Sequence, residues 1–218
     1  MFLGWKNNNL GNSNRNFYLI FKKILKWGAV AAVVLYVAVV LIRIPHFYNL
    51  RKTEEQVAKI HATKLTLDDV LGVNLPPEPG ALADVTIEGV DSNQNGIRDD
   101  VELAIFKEYP NSAKTRAVLL QYALALQMEM AQTIVNAGTV TAVAEDSGRA
   151  YMCIGEITSR DDIKKFIEIS DRLHSFVEIR QLNNEVRKKA QKDFYNNNLG
   201  SYSSLDETCD LDISKLSN

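Results

Sequence analysis

The hydrophobic pattern of the chain is dominated by one apolar run near its start. Residues 27–42 carry no charge, and apolar neighbours extend the run over residues 24–44. This length matches the hydrocarbon core of a bilayer. Lys26 and Arg43 flank the run and can reach the polar interface, where Trp27 would also be favoured. We therefore predict a transmembrane helix over residues 24–44.

Three other interpretations of this run fit the residues less well. A cleaved signal peptide would have a shorter basic region and a small-x-small site after the apolar run. A mitochondrial presequence would be rich in Arg and Ser, whereas this leader is rich in Asn. A buried helix of a soluble domain would lack the flanking charges. The pattern favours an uncleaved anchor.

Beyond the anchor, the pattern changes to shorter segments with polar caps. Capping-box spacing at residues 53–56 predicts a helix over 54–64, and the same spacing at residues 66–69 predicts another start, which Gly72 ends. Residues 74–80, N-L-P-P-E-P-G, favour neither helix nor central strand.

These features divide the rest of the chain into a linker and a domain. We assign residues 45–80 to a juxtamembrane helix and Pro-rich linker, and residues 81–218 to one compact domain. Residues 83–90 favour a short extended stretch.

Apolar positions at helical spacing continue through most of this domain. They predict helices over residues 99–109, 112–137 and 140–157, a fourth opened by Ser159 with Asp162, and a fifth that Asn183 or Asn184 caps and Gly200 ends. The second of these is apolar enough to suggest another membrane span, but its three Gln and one Glu favour a core helix. The predicted fold class is all-α: a transmembrane helix followed by an antiparallel helical bundle.

Charge is distributed unevenly along the chain. Six of the 25 basic residues and none of the 27 acidic residues lie in the first 43 positions. The basic, Asn-rich leader (residues 1–23) is therefore expected to be disordered and cytoplasmic, with the carboxyl-terminal domain outside the cell membrane. That domain is acidic and has no basic stripe, so we do not expect nucleic acid as a partner.

The two cysteines, Cys153 and Cys209, both belong to the exported part. In an oxidising compartment they are expected to form a disulfide. A redox pair would have C-x-x-C spacing, and two buried free thiols remain the alternative if the domain is cytosolic.

Residues 91–102, D-S-N-Q-N-G-I-R-D-D-V-E, have the spacing of a calcium-binding loop. The ligands predicted from this spacing are the side chains of Asp91, Asn93, Asn95, Asp99 and Glu102 and the backbone carbonyl of Ile97. Gly96 permits the sharp turn, Ile97 would turn its side chain to the core, and Arg98 and Asp100 would face solvent.

A metal-free turn followed by a helix start is the alternative, because Asn95-Gly96 favours a tight turn and acidic residues favour a helix amino terminus. The loop resembles EF-hand, dockerin and thrombospondin type 3 calcium loops. In N-G-I-R-D the apolar residue directly follows the glycine, as in the latter two. Residues 74–80 and the segment Y-P-N-S-A-K-T-R-A also resemble an uncharacterised family of membrane-anchored bacterial proteins, which implies no activity.

No motif of a known enzyme class is present: G-x-S-x-G, H-E-x-x-H, the P-loop and G-x-G-x-x-G are all absent. His61 and His174 stand alone in helices, and the acidic residues from Asp206 to Asp212 indicate a solvated tail or a loose cation site. We therefore predict a membrane-anchored calcium-binding module with a structural or interaction role and no enzymatic activity. A cell-envelope hydrolase with unrecognised residues is the alternative, and an envelope protein is a possible partner.

Overall fold

The structure is a computed structural model that describes residues 10–196, 200–201, 205 and 207–218, with side chains from Phe17 onward. Two compact units divide the chain, one ending at Arg51 and the other covering Lys52–Asn218. The asparagines at positions 7–9 and Asp206 lie outside the described residues. The predicted boundary after Gly80 lies inside the second unit.

Helix α1, Leu10–Ala62, contains the predicted anchor. Its most apolar 18-residue window has a mean hydropathy of 2.3 and buries none of its residues within the protein, so it is long and apolar enough to cross a membrane. The leader is helical from Leu10 on, where we expected disorder. The predicted helix start at Thr53 is wrong, because the residues before it are already helical and Thr53 has no free amino terminus to cap.

The predicted helix start at Thr66 is confirmed. Helix α2, Leu67–Leu71, has a complete capping box between Thr66 and Asp69, and Gly72 ends it with a left-handed backbone (φ 71°). A 3-10 helix, Gly80–Asp84, and a series of bends follow where we expected an extended stretch.

The remaining helices form the body of the second unit. They are α3 (Asp99–Glu108), α4 (Ala113–Ala131), α5 (Ala137–Ile154), α6 (Ile163–Gln181) and α7 (Glu185–Tyr195), with 3-10 helices at Gly155–Ile157 and Ile213–Lys215. No strand occurs among the residues described, so the all-α class is confirmed. The antiparallel bundle topology remains a prediction.

Helix α4 is the centre of this unit. It is buried on all sides and packs against α2, α3, α5, α6 and α7. Leu119, Leu120 and Ala123 are completely buried within it. A helix with no solvent face must be surrounded by other elements, and this explains why an apolar segment that resembled a membrane span lies in a core.

Several helix ends differ from their predicted positions. Helix α4 ends at Ala131, and Gly138 lies inside α5, because Asn136 caps the new helix and Thr139 returns the hydrogen bond. Asp162 caps α6, accepting from the backbone N–H groups of Lys164 and Lys165. Ser159 is not part of this cap.

The predicted disulfide between Cys153 and Cys209 is confirmed, with the two sulfurs 2.03 Å apart. It links α5 to the carboxyl-terminal segment over a sequence separation of 56. Closing a loop of this size restricts the unfolded chain, which stabilises the fold by about 4 kcal/mol in a chain-entropy treatment.

Candidate metal centre

The backbone of residues 91–97 curls around the carboxylate of Asp91. Its two oxygens accept hydrogen bonds from the backbone N–H groups of Asn95 (3.2 Å) and Gly96 (2.9 Å). Gly96 has φ +84°, and a Cβ there would lie 2.7 Å from Leu124 Cδ1. Only glycine accommodates both conditions without strain.

Helix α3 brings Glu102 back to the curl. The side chain of Asn93 donates to the Glu102 carboxylate over 3.1 Å, and Glu102 is 1% exposed. Asn95 Oδ1 accepts from the backbone N–H of Ile97 at 2.9 Å. The first, third, fifth and twelfth loop positions therefore lie close together, and the Ile97 side chain is buried in the core as predicted.

Asp99 is fully buried but directed differently. Its carboxylate accepts from the backbone N–H and the hydroxyl of Ser92, over 2.9 and 2.7 Å. Its own backbone N–H donates to the carbonyl of Val90. Asp99 thus fastens the beginning of the loop to the beginning of α3.

The loop carboxyl groups repel one another in a poorly hydrated place. Burial raises the pKa of Glu102 to about 7, and the negative charges of Asp69 and Asp99 add to the shift. Burial likewise raises the pKa of Asp91. In the part of the chain that the structure describes, no lysine or arginine forms an ion pair with Asp91, Asp99 or Glu102.

Asp69 is an acidic neighbour of the loop that the sequence did not reveal. Its Oδ1 lies 3.5 Å from Asn95 Nδ2, while its other oxygen accepts from the cap residue Thr66. In the sequence, Asp69 was already explained as part of the α2 capping box. No spacing pattern links α2 to a loop more than 20 positions later, so the proximity of Asp69 to the loop could not be predicted.

The prediction that Arg98 faces solvent is wrong, and the side chain of Asp100 is only partly exposed, at 29%. Arg98 is 0% exposed and donates to both carboxylate oxygens of Asp100 and to the carbonyls of Arg180 and Gln181. These hydrogen bonds fix the start of α3 to the end of α6. The Arg98 guanidinium therefore does not pair with the predicted metal ligands of the loop.

The predicted solvated tail is wrong for Asp210, whereas Asp212 is exposed as predicted. The Asp210 side chain is 1% exposed and pairs with Arg149 over 2.6 Å, and Arg149 also pairs with Asp146 from α5. His61 lies 3.0 Å from the same Asp146, so it is a structural partner in this network. Glu207 is exposed, and Asp206 lies outside the described residues.

The donor set of the loop consists of carboxylate and amide oxygens, which suit a hard cation such as calcium. The side chains of Asp91, Asn93, Asn95 and Glu102 are near one another, and Asp99 is within electrostatic range. Among the described residues, however, no group of three or more His, Cys, Asp or Glu side chains converges closely enough to hold a metal. A bound ion would require the side-chain oxygens to turn toward a common point.

Comparison of the chain with protein-family models, with curated proteins and with solved structures gives no significant match.

Proposed function

We propose that the chain is a single-pass membrane protein whose extracytoplasmic helical domain binds one calcium ion through residues 91–102. The ion's role is structural: it joins the loop to the start of α3.

The membrane topology is supported by two independent features. The first 43 residues are basic and contain no acid, which favours a cytoplasmic amino terminus. The disulfide between Cys153 and Cys209 belongs in an oxidising compartment. Both features support a position of the second unit outside the cytoplasm.

The observation that carries the calcium proposal is the burial of two carboxyl groups that, among the described residues, have no basic partner. Asp99 and Glu102 are at most 1% exposed, and the half-buried Asp91 is near enough to Asp99 for their charges to interact. Buried charges are ordinarily paired or bound to a metal. The raised pKa of Glu102 shows how poorly its charge is compensated by the protein alone.

A bound calcium ion would neutralise these negative charges and would be coordinated by residues of both the loop and α3. Two neutral Asn ligands keep the net charge of the site low. We therefore expect weak affinity, on the order of 10⁻⁴ to 10⁻³ M, as in extracellular calcium modules. Such an affinity suits an environment in which calcium is always abundant.

The test is a thermal melt of the full chain in phosphatidylcholine nanodiscs, in calcium and in EDTA. Roughly 10 mM calcium should stabilise the wild type by about 1–3 kcal/mol, since it binds only the folded loop. Glu102→Gln should abolish this shift, and the exposed Glu168→Gln on α6 should preserve it. An unchanged wild-type melting temperature, or an equal shift in Glu102→Gln, would reject the site.

No observation advances the hydrolase alternative to a second candidate function. A hydrolytic nucleophile needs a base within hydrogen-bond reach. Ser170 and His174 share a cleft, but Ser170 Oγ and His174 Nδ1 form no hydrogen bond with each other. An envelope protein partner stays a prediction that crosslinking in intact membranes would test.

A further inference from the structure

A cleft between α5 and α6, distant in sequence from the calcium loop, combines an apolar lining with unused polar atoms. Its volume is about 430 Å³, which is within the range of small-molecule sites. Met152 and Ile167 line it and are 56% and 50% exposed, and the Phe166 ring packs close to Gly155 in the same lining.

Two buried polar atoms of residues that line this cleft have no hydrogen-bond partner in the described part of the chain. They are Ser170 Oγ and His174 Nδ1, and the two residues are only 7% and 6% exposed. A buried polar atom without a hydrogen bond destabilises the fold. Two of them, one helical turn apart on α6 and both lining one cleft, indicate that something outside the protein satisfies them.

The contacts of His174 define what its free nitrogen can do. Nε2 lies 3.1 Å from the carbonyl oxygen of Tyr151, which can only accept, so Nε2 carries the proton. In the neutral ring Nδ1 is then an acceptor. The imidazole also stacks on the Tyr151 ring, with centroids 3.7 Å apart and 9° between the planes, and this holds Nδ1 in position.

We propose that this cleft binds a small apolar compound carrying a hydroxyl group. The hydroxyl would donate to His174 Nδ1 and accept from the Ser170 hydroxyl, while Met152, Phe166 and Ile167 contact the apolar body. A hydroxyl satisfies both orphaned atoms at once because it is both donor and acceptor. The site does not depend on the calcium ion.

The experiment compares two probes of similar shape on the full chain in nanodiscs: 4-fluorophenol, which has the hydroxyl, and 4-fluorotoluene, which lacks it. Fluorine NMR line broadening gives each dissociation constant, and empty nanodiscs correct for partition into lipid. The wild type should bind 4-fluorophenol about twofold to tenfold more tightly than 4-fluorotoluene, because one or two net hydrogen bonds contribute a difference of this size.

Variants assign the preference to the cleft. Ser170→Ala and His174→Phe should each reduce or remove the preference for the phenol while 4-fluorotoluene binds as before. Ser170→Ala deletes only a hydroxyl without a partner, so it should fold normally. Ser175→Ala, at an exposed position on the same helix, should change neither constant.

Met152→Ala removes part of the apolar lining and leaves Ser170 and His174 unchanged, so it should weaken the binding of both probes to the same extent.

The proposal is overturned if neither probe binds to the protein in nanodiscs more than it partitions into empty nanodiscs. It is also overturned if wild type and Ser170→Ala bind both probes equally, because the two polar atoms are then satisfied by solvent alone.

Discussion

Two kinds of charged side chain meet one segment of the second unit, residues 83–102, and the protein treats them in opposite ways. The buried arginines, Arg98 within the segment and Arg187 packed against it, are surrounded by acceptors. The buried Glu102 and the half-buried Asp91 have hydrogen-bond donors but, among the described residues, no ion pair with a basic side chain.

Arg187 illustrates the first kind. It is 0% exposed and donates to the carbonyls of Ala83, Thr86 and Ile87 as well as to the side chains of Asp84 and Asn183. The planar guanidinium has five donors and can satisfy several carbonyls of an irregular segment at once. The Arg187 guanidinium donates to backbone carbonyls that, in a helix or a strand, would accept hydrogen bonds from backbone N–H groups.

The loop carboxyls illustrate the second kind. Backbone N–H groups and amides satisfy their geometry, but burial still raises the pKa values of Asp91 and Glu102. One region is therefore satisfied within the chain, whereas the other keeps carboxyl groups that have no basic partner among the described residues.

The largest expected effect is on the region that is satisfied within the chain. Arg187→Ala removes a fully buried side chain and leaves the buried carbonyl of Ala83 and the partly buried carbonyls of Thr86 and Ile87 without this donor. We therefore expect a loss of about 3–5 kcal/mol in the free energy of unfolding. Urea unfolding of the full chain in micelles, followed by circular dichroism, measures this. Lys188→Ala, on the exposed side of α7, should change it by less than about 1 kcal/mol. Equal losses in the two variants would contradict the role given to Arg187.

The next effect concerns pH in the absence of calcium. The folded pKa of Glu102 is about 7, above its ordinary value of 4.5, so folding favours the protonated form. The stability this provides is fully present below pH 4.5 and is lost as pH rises through 7, by about 3 kcal/mol.

Glu102→Gln isolates this contribution from other titrating groups. The difference in unfolding free energy between wild type and variant in EDTA should grow from pH 4.5 to pH 8, with the variant the more stable at high pH. Calcium should rescue the wild type at pH 8 and not the variant. A difference that is constant across this pH range would mean that Glu102 is not buried as a lone charge.

A smaller effect is expected at the turn of the loop. Gly96→Ala places a Cβ at φ +84° and 2.7 Å from Leu124, so we expect destabilisation of about 1–2 kcal/mol. Gly148→Ala, where a Cβ meets nothing within 4 Å inside α5, should be neutral or stabilising by up to about 1 kcal/mol. Thermal melts of both variants provide the comparison, and a stable Gly96→Ala protein would show that the loop is not tightly turned.

The smallest effect distinguishes the partners of Arg187. The side chain of Asp84 is 57% exposed, and its hydrogen bonds from Asn183 and Arg187 lower its pKa. Exposed ion pairs contribute little, so Asp84→Asn should cost less than about 1 kcal/mol. If Asp84→Asn proved as damaging as Arg187→Ala, the carboxylate and not the carbonyls would be what holds the guanidinium.

Local signals in the sequence predicted local structure well. The apolar run over residues 24–44, the cap at Thr66 and the start of α3 at Asp99 depend on neighbours a few positions away, and all are present. The disulfide also followed, because only two cysteines were available to pair.

What the sequence did not reveal depends on distant partners. Arg98 and Arg187 look like ordinary surface residues until the carbonyls that surround them, about 80 to 100 positions away, are known. Asp210 is buried by Arg149 in the same way. For the candidate site, the spacing predicted which side chains gather at the loop, but the neighbouring Asp69 and the direction of Asp99 toward Ser92 required the fold.

The bond between Cys153 and Cys209 also determines how the second unit would respond to proteolysis. A protease that cuts any peptide bond between these positions produces two pieces that stay covalently joined, so the trailing piece remains attached to the amino-terminal piece that carries α1. Such nicking would pass unnoticed on a non-reducing gel and release a fragment only after a thiol is added.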